Sequence, residues 1–263
     1  MLAAYLKRGV KAGVVAGLVF GLLIAFVANP LVAFADELGH GSHAIGDNHE
    51  HATGEHHEGS GGAQPDSTVS MTVTNGVSIV SGVLWGILLG GVVFGIAYYF
   101  LEPVIPGTGG TQSYLLAVAG FITVSGAPWL VLSPQRLGAE QALPAELRSM
   151  LYGGMMVAGA FVCLLAGFVY DRLRDTHGRP TATIVAMLSL GLLAIPAALS
   201  PVNAVESSLP SELASGLTGT IVFGQALLWL LLAGTHARLR RRSMDTGPAA
   251  IATDPTDGTL SAD

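Results

Sequence analysis

Residues 77–101 read VSIVSGVLWGILLGGVVFGIAYYFL, twenty-five positions without one Asp, Glu, Lys, Arg or His. A run of about 17–25 apolar residues has the length to cross a bilayer core as a helix. Only a helix or a closed barrel satisfies its own backbone hydrogen bonds there. The run does not alternate polar with apolar residues, so it is not a membrane β-strand. Glycine recurs at Gly82, Gly86, Gly90 and Gly95, with Gly91 beside them. Such small-xxx-small spacing lets two helices approach closely where lipid removes the hydrophobic drive to associate.

Five more blocks of this kind flank it, at about 12–35, 114–132, 149–170, 181–200 and 215–236. His236, at the very end of the last, is the one ionisable side chain of the charged and histidine classes in all six. Across the chain only 11% of residues are charged, where a soluble domain carries roughly a quarter. The expected fold is an all-α integral membrane protein of about six transmembrane helices. The first block also carries Gly13, Gly17 and Gly21, which predicts tight packing of the first two helices and drawn-together ends of the loop between them.

The start of the chain supports a second reading. Basic residues, an apolar run and Ala33-Phe34-Ala35 before Asp36 resemble a secretory signal with its cleavage site. The apolar run is longer than the 7–15 residues of a signal core, and its glycine ladder suits a retained helix. Cleavage would leave five spans.

Orientation follows from the basic residues, which flank membrane helices on the cytoplasmic side. Lys7, Arg8 and Lys11 precede the first block, Arg172, Arg174 and Arg179 follow the fourth, and Arg238, Arg240, Arg241 and Arg242 follow the sixth. Six spans place all of these on one face, against Arg136 and Arg148 on the other. Both termini are then cytoplasmic. The chain divides into a basic flank with the first helix (1–35), an outer loop (36–76), a five-helix bundle (77–242) and an acidic tail (243–263) whose composition reads as disordered. Pro30, Pro128 and Pro196 fall near outer helix ends, and Tyr98, Tyr99 and Trp129 fit interfacial anchoring. The outer connections 133–148 and 200–214 have the composition to fold over the bundle mouth.

The outer loop holds the chemistry. Six of the eight histidines, His40, His43, His49, His51, His56 and His57, lie within eighteen residues, interleaved with Glu50, Glu55 and Glu58 and with no Lys or Arg. Neutral imidazole is the commonest protein ligand for divalent transition metals, and carboxylates complete such sites. The loop is therefore a candidate metal-binding tether. Its ligands suit nickel or zinc as well as cobalt. His177 and His236 stand alone beside basic residues, where interface and helix-dipole contacts account for them. Cys163 stands alone inside an apolar block, so no disulfide or CxxC site exists.

Several classes are excluded. No G-x-x-x-x-G-K-[ST] motif is present, so this chain binds no ATP through a P-loop, and no H-E-x-x-H motif is present for a zinc protease. No span carries a carboxylate for the usual intramembrane proton relay. No acid, base and nucleophile gather near a helix end, and no basic patch suggests nucleic acid. The chain is not expected to be an enzyme.

At this point the sequence resembles the CbtA-type cobalt transporter subunits. The likeness is carried by Asn29-Pro30-Leu31-Val32 ahead of an acidic, histidine-bearing loop, by Gly82-Val-Leu-Trp-Gly86-Ile-Leu-Leu-Gly90, and by the segment from Ser133-Pro134 to Pro144. Its most specific part is Pro201-Val202-Asn203-Ala204-Val205, then Leu209-Pro210-Ser211-Glu212-Leu213, leading to Gly224-Gln225-Ala226-Leu227-Leu228-Trp229. It spans roughly residues 8–242. The resemblance implies cobalt uptake linked to cobalamin synthesis, beside a small single-span subunit that bears histidines. It singles out Asn203, Gln225 and Trp229 as pathway or structural positions. The long His-dense loop and acidic tail depart from the family pattern, which raises the question of whether the loop takes over metal capture. A non-transporting metal sensor or assembly factor acting through a partner is the alternative.

Overall fold

The computed structural model describes residues 2–34, 71–134, 139–207 and 210–245. Four apolar helical stretches are long enough to cross a membrane: Leu2–Phe34, Met71–Leu101, Ala145–Leu199 and Ser211–Ser243. The first two are α1 and α2. Residues 110–129 form a further helical stretch, α3. The third long stretch breaks at Gly178, whose φ of 79° and ψ of 163° are not helical. It is therefore two helices, α4 (145–177) and α5 (179–199). The last helix, α6, runs Ser211–Asp245.

The helix ends differ from the expected spans for local reasons. Helix α2 begins at Met71, six residues ahead of the apolar block, because its polar first turns remain compatible with helix. Helix α4 continues through the basic segment after the apolar block, where Asp171 and Arg174 pair across one turn at 3.1 Å. Gly178 then stops it in a backbone region open essentially to glycine alone, and Pro180 sits near the start of the next helix, where its missing N–H costs nothing.

Each of the three prolines near a helix end has a visible accommodation. A proline ring clashes with the carbonyl four residues back in a regular α-helix. Ahead of Pro30 lies a π-helical turn at Ile24–Ala28, and ahead of Pro128 another at Ile122–Gly126. Ahead of Pro196 the chain tightens into a 3-10 turn at Gly191–Leu193. All three helices change pitch where the ring would collide, and each continues beyond it.

The two glycine ladders meet, as the spacing predicted. Helices α1 and α2 run antiparallel with Gly13, Gly17 and Gly21 facing Gly90, Gly86 and Gly82. A Cβ on Gly86 would lie 2.6 Å from the Gly17 Cα, and one on Gly82 2.6 Å from the Gly21 Cα. Only hydrogen at these positions lets the backbones pack this closely. Helix α6 lies on α1 and α3, and α3 leads on to α4. The core is built from Ala12, Ala16, Phe94, Tyr98, Leu116, Leu228, Trp229 and Leu232. A second cluster of Ala127, Met155, Val162 and Leu193 joins α3, α4 and α5.

Outward faces carry large apolar side chains, among them Phe161 (65% exposed), Phe168 (67%) and Leu188 (70%). Apolar exposure on this scale has no place in water and fits hydrocarbon. The connections 133–148 and 200–214 are linked through their described residues. They pair with each other as a short antiparallel ribbon, β1 (Ala139–Gln141) against β2 (Val205–Ser207), with Gln141 opposite Val205. The all-helical expectation holds apart from this ribbon.

Candidate functional site

The described polar side chains concentrate at the end of the bundle that bears the basic residues. Four segments converge there: the first turns of α1, the end of α2, the start of α3 and the last turns of α6. Glu102 follows α2 directly. Its carboxylate accepts from the Tyr5 hydroxyl at 2.5 Å and from Arg240 Nη2 at 2.5 Å. Arg240 Nη1 donates to the Gln112 carboxamide oxygen at 2.9 Å and to the Tyr98 hydroxyl. The Tyr98 hydroxyl in turn donates to Gln112 Oε1 at 3.2 Å. Gln112 Nε2 completes the set by donating to the Glu102 and Ile105 carbonyls, both at 3.2 Å.

The ion pair within this network is largely withdrawn from solvent, with side-chain exposures of 17% for Arg240 and 24% for Glu102. The guanidinium also sits over the Tyr98 ring, 5.4 Å from its centroid. A planar fork that reaches a carboxylate, a phenol and a carboxamide at once suits arginine and not lysine. Removing either charge would leave its partner desolvated, the strongly unfavourable case for a shielded pair.

One turn earlier on α6, His236 is fully buried. Its Nδ1 lies 3.0 Å from the Ser113 hydroxyl, and its ring packs tilted by 50° against Tyr98 at 4.6 Å and edge-on to Phe94 at 5.3 Å. Its Nε2 has no hydrogen-bond partner among the described residues. His236 thus makes an interface contact of the kind expected, against α2 and α3, and is fully buried there. One expectation is corrected here. Tyr98 is not an interfacial anchor, since it is fully buried, whereas Tyr99 remains exposed. Trp129 is half-buried, edge-on to Phe121 at 5.9 Å.

The opposite end is pinned more simply. Asn29 Nδ2 donates to Asn75 Oδ1 and to Ser78 Oγ, each at 3.0 Å, so the two ends of the loop between α1 and α2 are held together. The six loop histidines, His40 to His57, and Glu50, Glu55 and Glu58 lie outside the described residues. Among the described residues no three His, Cys, Asp or Glu side chains gather into a metal-binding group.

The three positions singled out by resemblance fall in different settings. Asn203 ties the ribbon: its Oδ1 accepts from the Leu143 backbone at 3.4 Å and its Nδ2 donates to Gln141 Oε1 at 3.2 Å. Trp229 is buried and its indole fills the notch left by Gly120, where a Cβ would come within 2.5 Å of the Trp229 Cη2. Gln225 is half-buried on α6. The structure does not bring the three together.

Sequence reading missed Glu102, Gln112, Ser113 and Arg240. Glu102, like Asp171, is an acid that directly follows an apolar block on the basic side, and Gln112-Ser113 open the next helix. Those are the signals that were present. Their pairing spans 138 residues between Glu102 and Arg240, which no local pattern reveals.

A family model described as probable cobalt transporter subunit (CbtA) matches residues 2–241, nearly the whole chain. No curated protein and no solved structure matches significantly. The match agrees with the resemblance read from the proline, asparagine and glycine motifs.

Proposed function

The chain belongs to the CbtA family of probable cobalt transporter subunits, and from that premise we propose that it is the membrane-embedded subunit of an uptake permease for a divalent transition metal. The family's role is transport rather than catalysis, and long apolar helices with bare apolar faces make this a multi-pass membrane protein. Cobalt is the cargo that the family description favours. In this reading the six histidines of residues 40–57 collect the ion outside the cell, with Glu50, Glu55 and Glu58 completing the ligands. Uptake for cobalamin synthesis and assembly with a small single-span subunit belong to the same proposal.

In this reading the arms on either side of Gly178, taken separately, together with α1, α2, α3 and α6 make six passes. The excess of Lys and Arg at one end supports placing the Tyr5, Glu102 and Arg240 network on the cytoplasmic side and residues 36–70 outside. The close fit of α1 against α2 supports retention of the first helix.

The observation that carries the proposal is a family match over nearly the whole chain joined to a histidine-dense loop between two glycine-locked helices. Accumulation of labelled cobalt in cells with and without the gene tests it. Higher accumulation with the gene is the expected result. Unchanged accumulation by a protein that still binds the ion would leave the alternative, a sensor or assembly factor, which the firmly paired basic end also suits.

A further inference from the structure

We propose that Glu102, Gln112 and Tyr98, with His236 beside them, form a cation site at the basic end of the bundle that the Arg240 guanidinium occupies as a tethered surrogate. The inference rests on the transport reading for the identity of the ion, a divalent transition metal, but its geometry stands by itself.

Arginines 238, 240, 241 and 242 all follow the last apolar block, yet Arg240 is turned into the protein with its side chain 17% exposed. What it meets is a convergent set of oxygen acceptors on other segments: a carboxylate of Glu102, the Gln112 carboxamide oxygen and the Tyr98 hydroxyl. Because all three reach one guanidinium, they surround a volume a few ångströms across. Carboxylate, carboxamide and phenol oxygens are ordinary ligands for a small divalent ion. Packed against Tyr98 is an imidazole whose buried Nε2 has no hydrogen-bond partner among the described residues, a nitrogen of the kind that such an ion prefers over an alkali cation.

Without a cation the Glu102 carboxylate would stand uncompensated and collect water at this depth. The arginine neutralises it and joins α2, α3 and α6 through one group. An ion arriving along the bundle would compete with the guanidinium for the same oxygens. Displacing it would release the last turns of α6 from α2 and α3, so that arrival of cargo and opening of the basic end become one event. Withdrawal of the ion would let the guanidinium return.

The test uses the full chain in detergent and counts bound Co2+ by isothermal titration, with no transport step. Arg240→Gln removes the surrogate and should bind one more Co2+ per chain than the parent. Arg240→Gln with Glu102→Gln should return to the parent's count, which separates this site from the outer-loop histidines. Arg240→Lys keeps one charge but loses the fork, and should show the added site at weaker affinity. It carries the test if Arg240→Gln does not fold. No added site in either variant overturns the inference, as does an added site that survives loss of the Glu102 carboxylate. An added site in a protein that does not accumulate cobalt in cells would instead leave the inference standing and remove the transport reading.

Discussion

Replacing Gly86 with Ala tests what holds α1 against α2. The added carbon would sit 2.6 Å from the Gly17 Cα and 2.9 Å from the Gly17 nitrogen, where carbon atoms ordinarily rest about 3.5–4.0 Å apart. Both neighbours are backbone and cannot rotate away, so the helices must part by about 1 Å. A gap of 0.5–1 Å forfeits about a quarter to a half of each van der Waals well, and the ladder from Gly13 to Gly21 loses contacts along its whole length. Overpacking of this kind costs about 1–3 kcal/mol. The better helix propensity of alanine returns at most about 1 kcal/mol. For a chain of this size each kcal/mol shifts Tm by about 2–4 °C, so a fall of several degrees is expected for the detergent-solubilised protein, read by thermal unfolding of tryptophan fluorescence. Gly153→Ala is the control, since nothing lies within 4 Å of a Cβ there, and its Tm should stay level or rise. Equal responses from Gly86→Ala and Gly153→Ala would refute the claim that backbone contact, rather than glycine's abundance in membrane helices, explains the ladders.

Other outcomes follow from the same structure. Gly178→Ala forces a side chain into a conformation with φ of 79°, and should lower stability by about 1–3 kcal/mol; a Tm equal to the parent's would show the turn between α4 and α5 to be plastic. Asn203→Ala removes the amide that bridges Leu143 and Gln141, and should raise hydrogen exchange at Ala142, whose N–H donates to the Ala204 carbonyl at 3.0 Å, while leaving the helices unchanged. Replacing His49, His51, His56 and His57 together with Ala should reduce cobalt uptake most at low metal concentration; the same uptake as the parent at every concentration would make the loop dispensable. A reporter inserted within residues 40–57 should be active only outside the cytoplasm, and cytoplasmic activity would reverse the orientation.

The membrane character and the α1–α2 contact were legible because both are properties of single segments. A charge-free run fixes its own helix through backbone hydrogen bonding, and glycines four apart mark one face whatever partner they meet. The position of the prolines near helix ends was legible for the same reason, although not the π and 3-10 turns that absorb them. What the sequence concealed was partnership. Arg240 is one of four arginines within five residues, and composition assigns all four to the topology signal. Only packing shows that one of them is turned inward onto Glu102.

Tyr98 and Tyr99 are adjacent and alike, and helical rotation of about 100° per residue sends one into the core and the other outward. The depth of His236 has the same origin, because a histidine beside a basic tail shows neither its burial nor its partners until the helix it faces is known. In a soluble protein a polar residue in an apolar block betrays such a site by contrast. Here the polar groups sit at the block's edge, where membrane helices carry polar residues for ordinary reasons. The signal that survives is directional. Glu102 ends one span, Gln112 and Ser113 begin the next, and His236 and Arg240 end the last, all on one side of the membrane once the spans are counted. A polar cluster at one end of a bundle is therefore predictable as a set of candidates from topology alone, while the choice among its members requires the helix azimuths that only packing provides.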